Sequence, residues 1–431
     1  MRKSLTLLFG ILISLTSFSQ IEEIKKLTSD LCSPNMHGRG YVAGGDSIAA
    51  EYIAKEYEKI GLSALPEYDS YFQPFSFDVN TFPGEMALVI DGKTMLAGQD
   101  YIVKPSSGSD DIKQVKSRFL TQEEIFNPTV ISQVIDSIRS FSSINTVVTN
   151  LSRLKGDSLK ATQQLLDELT SICAVVELFD KKFTWSVARQ ASVHSYIYLR
   201  DSLWKDSQNS SIEIQNFLKK DHQARNVIGY IPSKKRTKKT VFFTAHYDHL
   251  GRMGFNGDLS DKTNAYFPGA NDNASGTAML INLAKYFTDN PQKFNIAFIA
   301  FAGEEAGLIG SKYYVEHPIY PLEEIDFLIN IDIMGSGEEG ITVVNGAVYE
   351  KAFKKLTKIN KKHDLLTAVK KRGKAANSDH YFFSEAGVPA IFIYTMGPNK
   401  HYHDIYDTFD QLTFNEYEDI VELLRIFLKK V

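Results

Sequence analysis

The sequence predicts an α/β protein of three layers (α/β/α), in which helices cover a mixed, mainly parallel sheet, plus an inserted accessory region. From Asn226 onward, continuous apolar runs alternate with amphipathic stretches. Such runs are typical of strands buried on both faces of a sheet. Residues 112–221 are instead rich in Ser, Thr and Gln, without clustered chemistry. The length of 431 residues fits roughly two to three domains.

The N-terminal residues have the pattern of an export signal. Arg2 and Lys3 precede an apolar run over 5–15, and Ser17-Phe18-Ser19 is a small-x-small cleavage site. We therefore expect residues 1–19 to be a signal peptide and the protein to be periplasmic or extracellular. A membrane-spanning helix needs a run of about 18 apolar residues, and no later run is that long, so we expect no membrane span after signal cleavage.

Residues 20–79 are expected to belong to the main domain. Apolar positions over 46–60 recur at helical spacing, and Gly61 is a natural helix stop. A glycine-rich break at 36–40 precedes this helix. Residues 80–221 are expected to form the accessory region, although they also fit ordinary core of one larger domain. The elements expected within it are strands before residue 110, helices near 130–170 and a strand at 174–178.

Residues 222–431 are expected to carry the alternating pattern of the main domain. The strands expected there are 227–231, 241–245, 296–302, 327–331, 341–344 and 390–394. The helices expected there are 274–287, 306–315, 349–362 and 415–429. We place ligand-binding residues just past the carboxyl ends of these strands, because open α/β sheets bind ligands there.

Polar side chains directly follow three of the apolar strands. They are His246 and Asp248, Glu304 and Glu305, and Asp332. A buried carboxylate costs several kcal/mol unless it is paired or bound to a metal. In extended backbone His246 and Asp248 point to one side, so Asp248 is expected to accept the second ring N–H of His246.

Two further segments complete a set of two histidines and three carboxylates for two metal ions. Asp272 opens a helix within Asn271–Gly276, where it is either a helix cap or a carboxylate bridging two ions about 3.5–4 Å apart. His403 leads into Asp407-Thr408. His401 lies on the same side of an extended chain, so the spacing leaves open which of these two histidines ligates.

The adjacent acids Glu304 and Glu305 are the most informative pair. They repel each other at a buried strand end unless a cation is present. A cation lets one ligate while the other accepts a proton from a bound water of lowered pKa. The competing explanation is a helix N-terminus, whose dipole favours acidic residues.

These motifs together resemble peptidase family M28, the co-catalytic di-zinc aminopeptidases. The resemblance covers about 226–412, with a weaker similarity at 36–62. The matching segments are 245–251, 271–276, 302–311, 330–332, 378–380 and 402–408. The resemblance implies a zinc-peptidase (phosphorylase/hydrolase-like) fold, two Zn²⁺ per chain and aminopeptidase action on a peptide substrate. Carboxypeptidases, a one-zinc glutaminyl cyclase and a non-catalytic zinc-binding relative remain as alternatives.

The resemblance also implies roles for single residues. The implied ligands are His246 and Asp332 for one zinc, Glu305 and His403 for the other, and Asp272 as the bridge. His403 is preferred over His401 because its spacing to Asp407-Thr408 fits the family. The implied catalytic residues are Glu304 as general base, Asp248 orienting His246, and Tyr402 polarising the scissile carbonyl. Tyr402 also fits a packed aromatic, and Asp379 and His380 fit either a pocket or helix capping.

Other classes of function lack support in the sequence. A net charge of -4 gives no basic footprint for nucleic acid. Gly335–Gly340 matches G-x-G-x-x-G, but a strand-like run follows it, whereas a dinucleotide site needs a helix there. Cys32 and Cys173 fit at most one disulfide. The accessory region stands where some relatives insert a protease-associated domain, without clear motifs of one. The sequence contains no motif that specifies an oligomeric state or a substrate side-chain preference.

Overall fold

The structure is a computed structural model that describes residues 21–140, 144–207, 209–235, 237 and 239–429. The expected signal peptide at 1–19 lies outside the described residues and stays a prediction. Within the described ranges, no helix is both long and apolar enough to cross a membrane.

An eight-stranded mixed sheet forms the centre of the protein. With strands numbered along the chain, its spatial order is β1 (Phe72–Thr81), β11 (Phe217–Ile231), β15 (Asn295–Phe301), β12 (Thr240–His246), β16 (Ile325–Asp332), β19 (Ala390–Met396), β17 (Gly340–Val344) and β18 (Val369–Lys371). The four strands β15, β12, β16 and β19 are parallel neighbours. The edge pairs β1–β11, β11–β15 and β19–β17 are antiparallel.

Helices cover both faces of this sheet. They are α1 (21–31), α2 (Gly45–Lys59), α6 (Gly276–Asp289), α7 (Ile309–Glu316), α8 (Glu350–His363), α9 (His380–Glu385) and α10 (Tyr417–Leu428). Phe243 of β12 packs in the apolar cluster that holds α1, α2, α6, α8 and α10. Its neighbour Phe242 points to the other face, into the cluster of α7 and α9. Every residue of β12 and β15 is buried, as expected of strands covered on both sides. The α/β prediction is confirmed.

The residues between β1 and β11 build two further sheets. One has the order β3 (Lys93–Met95), β2 (Met86–Ile90), β10 (Ser211–Ile214) and β5 (Asp110–Ile112). The other has the order β4 (Tyr101–Val103), β9 (Tyr196–Arg200), β8 (Ala174–Phe179), β7 (Thr146–Asn150) and β6 (Ser117–Leu120). Helices α3 (Gln122–Ile125), α4 (Pro128–Arg139) and α5 (Gly156–Leu169) accompany the second sheet. Neither sheet shares a strand with the large sheet, and the hairpin β13 (Gly251–Met253) with β14 (Ala265–Phe267) stands apart from all three.

Two details differ from the sequence analysis. The predicted strand 227–231 is only the second half of β11, so the expected boundary at residue 222 falls inside a strand. The first half pairs with β1 alone and is largely exposed, so it lacks the apolar run that marks a buried strand. Cys32 and Cys173 are free thiols in separate apolar clusters, so no disulfide joins them.

Candidate metal centre

The predicted polar residues meet at one edge of the large sheet. Strands β15, β12 and β16 are parallel neighbours, so their carboxyl ends lie side by side. His246 is the last residue of β12, and Asp332 is the last residue of β16. Glu304 and Glu305 stand in the turn that follows β15. Apolar packing of the strands therefore fixes where these side chains lie.

Asp272 lies between two imidazoles and gives one carboxylate oxygen to each. His246 Nε2 is 3.2 Å from Asp272 Oδ1, and His403 Nε2 is 3.2 Å from Asp272 Oδ2. His403 Nε2 is also 3.1 Å from Glu305 Oε2. Donors about 2.0–2.1 Å from one tetrahedral zinc stand roughly 3.3 Å apart. These spacings fit one ion on each side of Asp272.

Asp332 is held in place by amides and a hydroxyl. Asn273 Nδ2 donates to its Oδ1 at 2.7 Å, and Asn330 Nδ2 donates to its Oδ2 at 3.0 Å. The Ser378 hydroxyl also donates to Oδ2. Asn273 Nδ2 contacts the His246 carbonyl at 3.0 Å as well, so one amide joins the ends of β12 and β16. The two residues implied for the first ion are thus fixed to each other.

The structure distinguishes His403 from His401, a choice that the spacing in the sequence left open. His403 points into the cluster, whereas His401 Nδ1 lies 3.3 Å from Asp404 Oδ2 and its ring packs against Tyr406. His403 has φ +56°, a left-handed conformation that few non-glycine residues adopt. This turn of the backbone gives the two residues different directions.

His249 is a third imidazole at the cluster, and its donor atoms lie within 4.8 Å of those of Asp272 and Glu305. Its Nδ1 contacts Glu305 Oε1 at 2.8 Å, while His403 takes Oε2. His403 contacts both Asp272 and Glu305 through Nε2 and donates its Nδ1–H to a main-chain carbonyl, the arrangement of a metal-bound imidazole. This geometry favours His403 over His249 as the candidate metal ligand.

Asp248 supports the site differently from the sequence expectation. His246 Nδ1 donates to the main-chain carbonyl of Asp248 at 3.1 Å, and the Asp248 carboxylate is 3.9 Å away. That carboxylate instead accepts from the backbone N–H groups of Glu304 and Glu305 at 3.1 and 3.3 Å, and from the Tyr41 hydroxyl at 2.9 Å. The turn after β15 brings those N–H groups closer than the imidazole. Asp248 thus fixes the acidic pair as well as the histidine.

A cavity of about 180 Å³ opens beside these residues. It is lined by His246, Asp272, Glu304, Asp332, Ile333, Arg372, Asn377, Phe392, Tyr394 and Tyr402. The Tyr402 ring is half-exposed and stacks on His403 with centroids 3.9 Å apart. Asp379 and His380 are fully buried and are not among the lining residues; burial raises the pKa of Asp379 to about 7 and lowers that of His380 to about 4. Arg372 and Asn377 had no motif that marked them in the sequence.

Sequence reasoning missed the groups that hold the loop of Asp272. In the sequence, Asp407 was used only for its spacing to His403. In the structure, its carboxylate accepts from the N–H groups of Asn271 and Asp272 at 2.9 and 3.0 Å. Arg39 is fully buried, and its guanidinium donates to the carbonyls of Tyr247, Leu31, Pro268 and Gly269 at 2.7–2.9 Å. The glycine-rich break at 36–40 was the only sequence feature that pointed to Arg39.

The electrostatics of the cluster favour a cation. Burial and neighbouring carboxylates raise the pKa of Glu304 well above its ordinary value. Burial opposes charge on His403, yet Glu305 and Asp272 outweigh it and raise its pKa to about 11. The described site therefore gathers buried carboxylates whose negative charge its three imidazoles do not balance when they are neutral. Nitrogen and carboxylate donors at these spacings fit zinc, so the residues present fit the expected ions.

Comparison with known families identifies the domain that carries this site. Residues 226–428 match the family model described as Peptidase family M28. These residues form an M28 peptidase domain. The match covers β15, β12 and β16 with every ligand candidate named above, and the sequence resemblance to the family is confirmed.

Related sequences carry peptidase names. The chain is 30% identical to "Aminopeptidase YwaD" of Bacillus subtilis over 205 residues, which is 44% of this chain and 41% of that protein. It is 23% identical to a "Probable leucine aminopeptidase" of Trichophyton verrucosum over 75% of this chain and 85% of that protein. The alignment with the Bacillus protein thus spans less than half of that relative's length.

Solved structures share the fold over nearly the whole chain. A zinc aminopeptidase from Bacillus subtilis has a TM-score of 0.68 at 17% identity, covering 95% of this chain and 94% of that one. A "Peptidase M28 precursor" from Shewanella amazonensis has a TM-score of 0.63 at 15% identity, covering 96% and 95%. The shared fold therefore includes the accessory region as well as the M28 domain.

Proposed function

We propose that this protein is an exported zinc-dependent aminopeptidase that removes N-terminal residues from peptides. The observation that carries the proposal is the position of Asp272, one oxygen toward His246 and the other toward His403, beside a cavity lined by Glu304. The names of the related aminopeptidases and zinc metalloproteases support the choice of metal and of substrate. The export pattern at 1–19 supports the location.

Each residue of the site has a part in the proposed reaction. His246, Asp332, Asp272, Glu305 and His403 would hold two zinc ions. Ions bound there would supply Lewis acidity and would lower the pKa of a bound water. Glu304 would act as general base toward the attacking water and as general acid toward the leaving amine, and Tyr402 would donate a hydrogen bond to the scissile carbonyl oxygen.

The acidic pair supports this division of labour. Glu305 gives one oxygen to His249 and the other to His403, so its carboxylate is fully engaged. Glu304 is held through its backbone, whose N–H donates to Asp248 and whose carbonyl accepts from Gly307 and Leu308, while its side chain faces the cavity. One acid is therefore fixed as a ligand, and its neighbour is free to exchange a proton with a bound reactant.

A peptide screen with added zinc tests the direction of attack. We expect cleavage of peptides with a free N-terminus and at least a hundredfold slower cleavage of N-acetylated copies of the same peptides. Peptides amidated at the C-terminus should be cleaved at the unmodified rate. Cleavage of blocked peptides only, or a strict requirement for a free C-terminal carboxylate, would overturn the aminopeptidase assignment in favour of a carboxypeptidase.

Elemental analysis tests the metal part of the proposal separately. The wild type is expected to hold two zinc ions per chain, and Asp272→Ala is expected to lose them, since Asp272 faces both sites. Retention of two ions by Asp272→Ala would refute the bridging role.

A further inference from the structure

A loop of the accessory region contacts the histidine proposed as a zinc ligand. Trp185 lies between β8 and β9, and its backbone N–H donates to the His403 carbonyl at 2.9 Å. In return, His403 Nδ1 donates to the Trp185 carbonyl at 2.9 Å. The second ring nitrogen of this imidazole is thus held by a residue outside the matched M28 segment 226–428.

The Trp185 carbonyl is itself held by a packed side chain. The indole is buried, stacks on Phe267 with centroids 4.9 Å apart, and packs against Phe82. Its Nε1–H donates to the Val103 carbonyl at 2.9 Å. This carbonyl therefore has little freedom to move away from the imidazole.

Lys182 contacts the chain on both sides of His403. Its ammonium donates to the carbonyls of Lys400 and Tyr402 at 2.8 and 3.0 Å. It also pairs with the buried carboxylate of Asp404 at 2.8 Å. Since His403 holds a positive φ, which is unfavourable for a non-glycine residue, such outside contacts stabilise the turn that directs its ring toward Asp272.

Among the residues that the structure describes, the ligands of the other proposed zinc have no comparable contact with the accessory region. His246 Nδ1 donates to the Asp248 carbonyl, and Asp332 is held by Asn273, Asn330 and Ser378. All of these residues lie within 226–428. Any effect of the accessory loop should therefore fall on one ion of the pair.

We infer that residues 182–185, the accessory strap, position His403 for its zinc ion, so that the accessory region forms a structural part of the metal centre. Lys182 and Trp185 are positioning residues that act through His403. The inference rests on the proposed function, because it takes zinc to bind at His403 and Glu305. It predicts that changes in the strap weaken one zinc ion selectively.

Zinc affinities measured by chelator competition on the full-length mature chain test this. Lys182→Met removes the hydrogen bonds and the ion pair to 400–404 without changing the core. Trp185→Ala removes the packed side chain that holds the Trp185 carbonyl in place. We expect each to raise the Kd of one zinc 10- to 100-fold, the usual range for outer partners of metal ligands, and to leave the other within twofold. Lys182→Arg keeps the charge and donors, and should restore most of the affinity.

Controls separate positioning from general damage. Lys181→Met changes the exposed neighbour of Lys182, and Trp204→Ala changes a second, partly buried tryptophan of the accessory region. Each of these two control variants should keep the wild-type affinity for both zinc ions. In a His403→Ala background, Lys182→Met should have no further effect on zinc, because the strap acts through that ring. The melting temperature of the zinc-free form is measured for every variant to show that it folds.

The outcomes distinguish the two proposals. Two zinc ions in the wild type with unchanged affinities in folded Lys182→Met and Trp185→Ala would overturn the strap's role and leave the aminopeptidase proposal standing. Equal weakening of both ions, or an effect of Lys182→Met that adds to that of His403→Ala, would also overturn it. A wild type that binds no zinc would refute both.

Discussion

Arg39 offers a stringent test of how the site is held together. Its guanidinium is fully buried and makes four short hydrogen bonds to main-chain carbonyls, with a fifth, longer contact to the Asp272 carbonyl at 3.4 Å. Two of the four accepting carbonyls, those of Tyr247 and Gly269, belong to segments next to His246 and Asp272. Arg39→Lys keeps the charge, but an ammonium has three donors and no planar fork.

The expected cost follows from those contacts. At least one of the four short bonds is lost, and a hydrogen bond to a charged group is worth about 1.5–3 kcal/mol. With one buried carbonyl left unsatisfied, we expect the free energy of unfolding of the zinc-free protein to fall by about 3 kcal/mol. Urea denaturation followed by circular dichroism measures it, with the exposed Arg153→Lys as the matched control. A loss below about 1 kcal/mol would refute the reasoning.

Three further predictions concern metal, pH and substrate. Zinc at a thousand times its Kd should raise the free energy of unfolding by about 4 kcal/mol, and an unchanged melting temperature after chelation would contradict this. Burial lowers the pKa of His380 to about 4 in the folded protein, against roughly 6.5 in the unfolded chain. The free energy of unfolding should therefore fall as the pH drops from about 6.5 to about 4, by up to about 3 kcal/mol. His380→Leu should flatten that part of the stability–pH curve, and an identical curve would exclude His380 as the cause. Tyr402→Phe keeps the ring stacked on His403, so kcat should fall about 100-fold with zinc affinity within twofold; an unchanged kcat would leave Tyr402 a packing role alone.

The sequence predicted those parts of the molecule that contiguous patterns specify. Buried parallel strands are continuous apolar runs, so β12, β15 and β16 were predicted to within two residues at each end, and the polar residues at their ends with them. Their parallel adjacency explains why His246, Glu305 and Asp332 meet. The first half of β11 was missed because an exposed strand paired with β1 alone carries no such run.

The support of the site was beyond sequence reasoning for a different physical reason. Trp185 and Arg39 act on His403 and on the Asp272 loop through main-chain atoms more than 200 residues away along the chain. Main-chain contacts leave no residue type or spacing to read. The same holds for Asp248, where the sequence led us to expect a carboxylate bond to His246 and the structure gives a carbonyl bond instead.

Glu304→Gln tests the central claim most directly, because it changes one oxygen of the proposed base and no proposed ligand. Zinc content and kcat are measured on the same preparation, with a peptide that has a free N-terminus. We expect two zinc ions per chain and a kcat reduced by about 10²- to 10⁴-fold, the usual contribution of a general base. Two bound zinc ions with undiminished hydrolysis would contradict it.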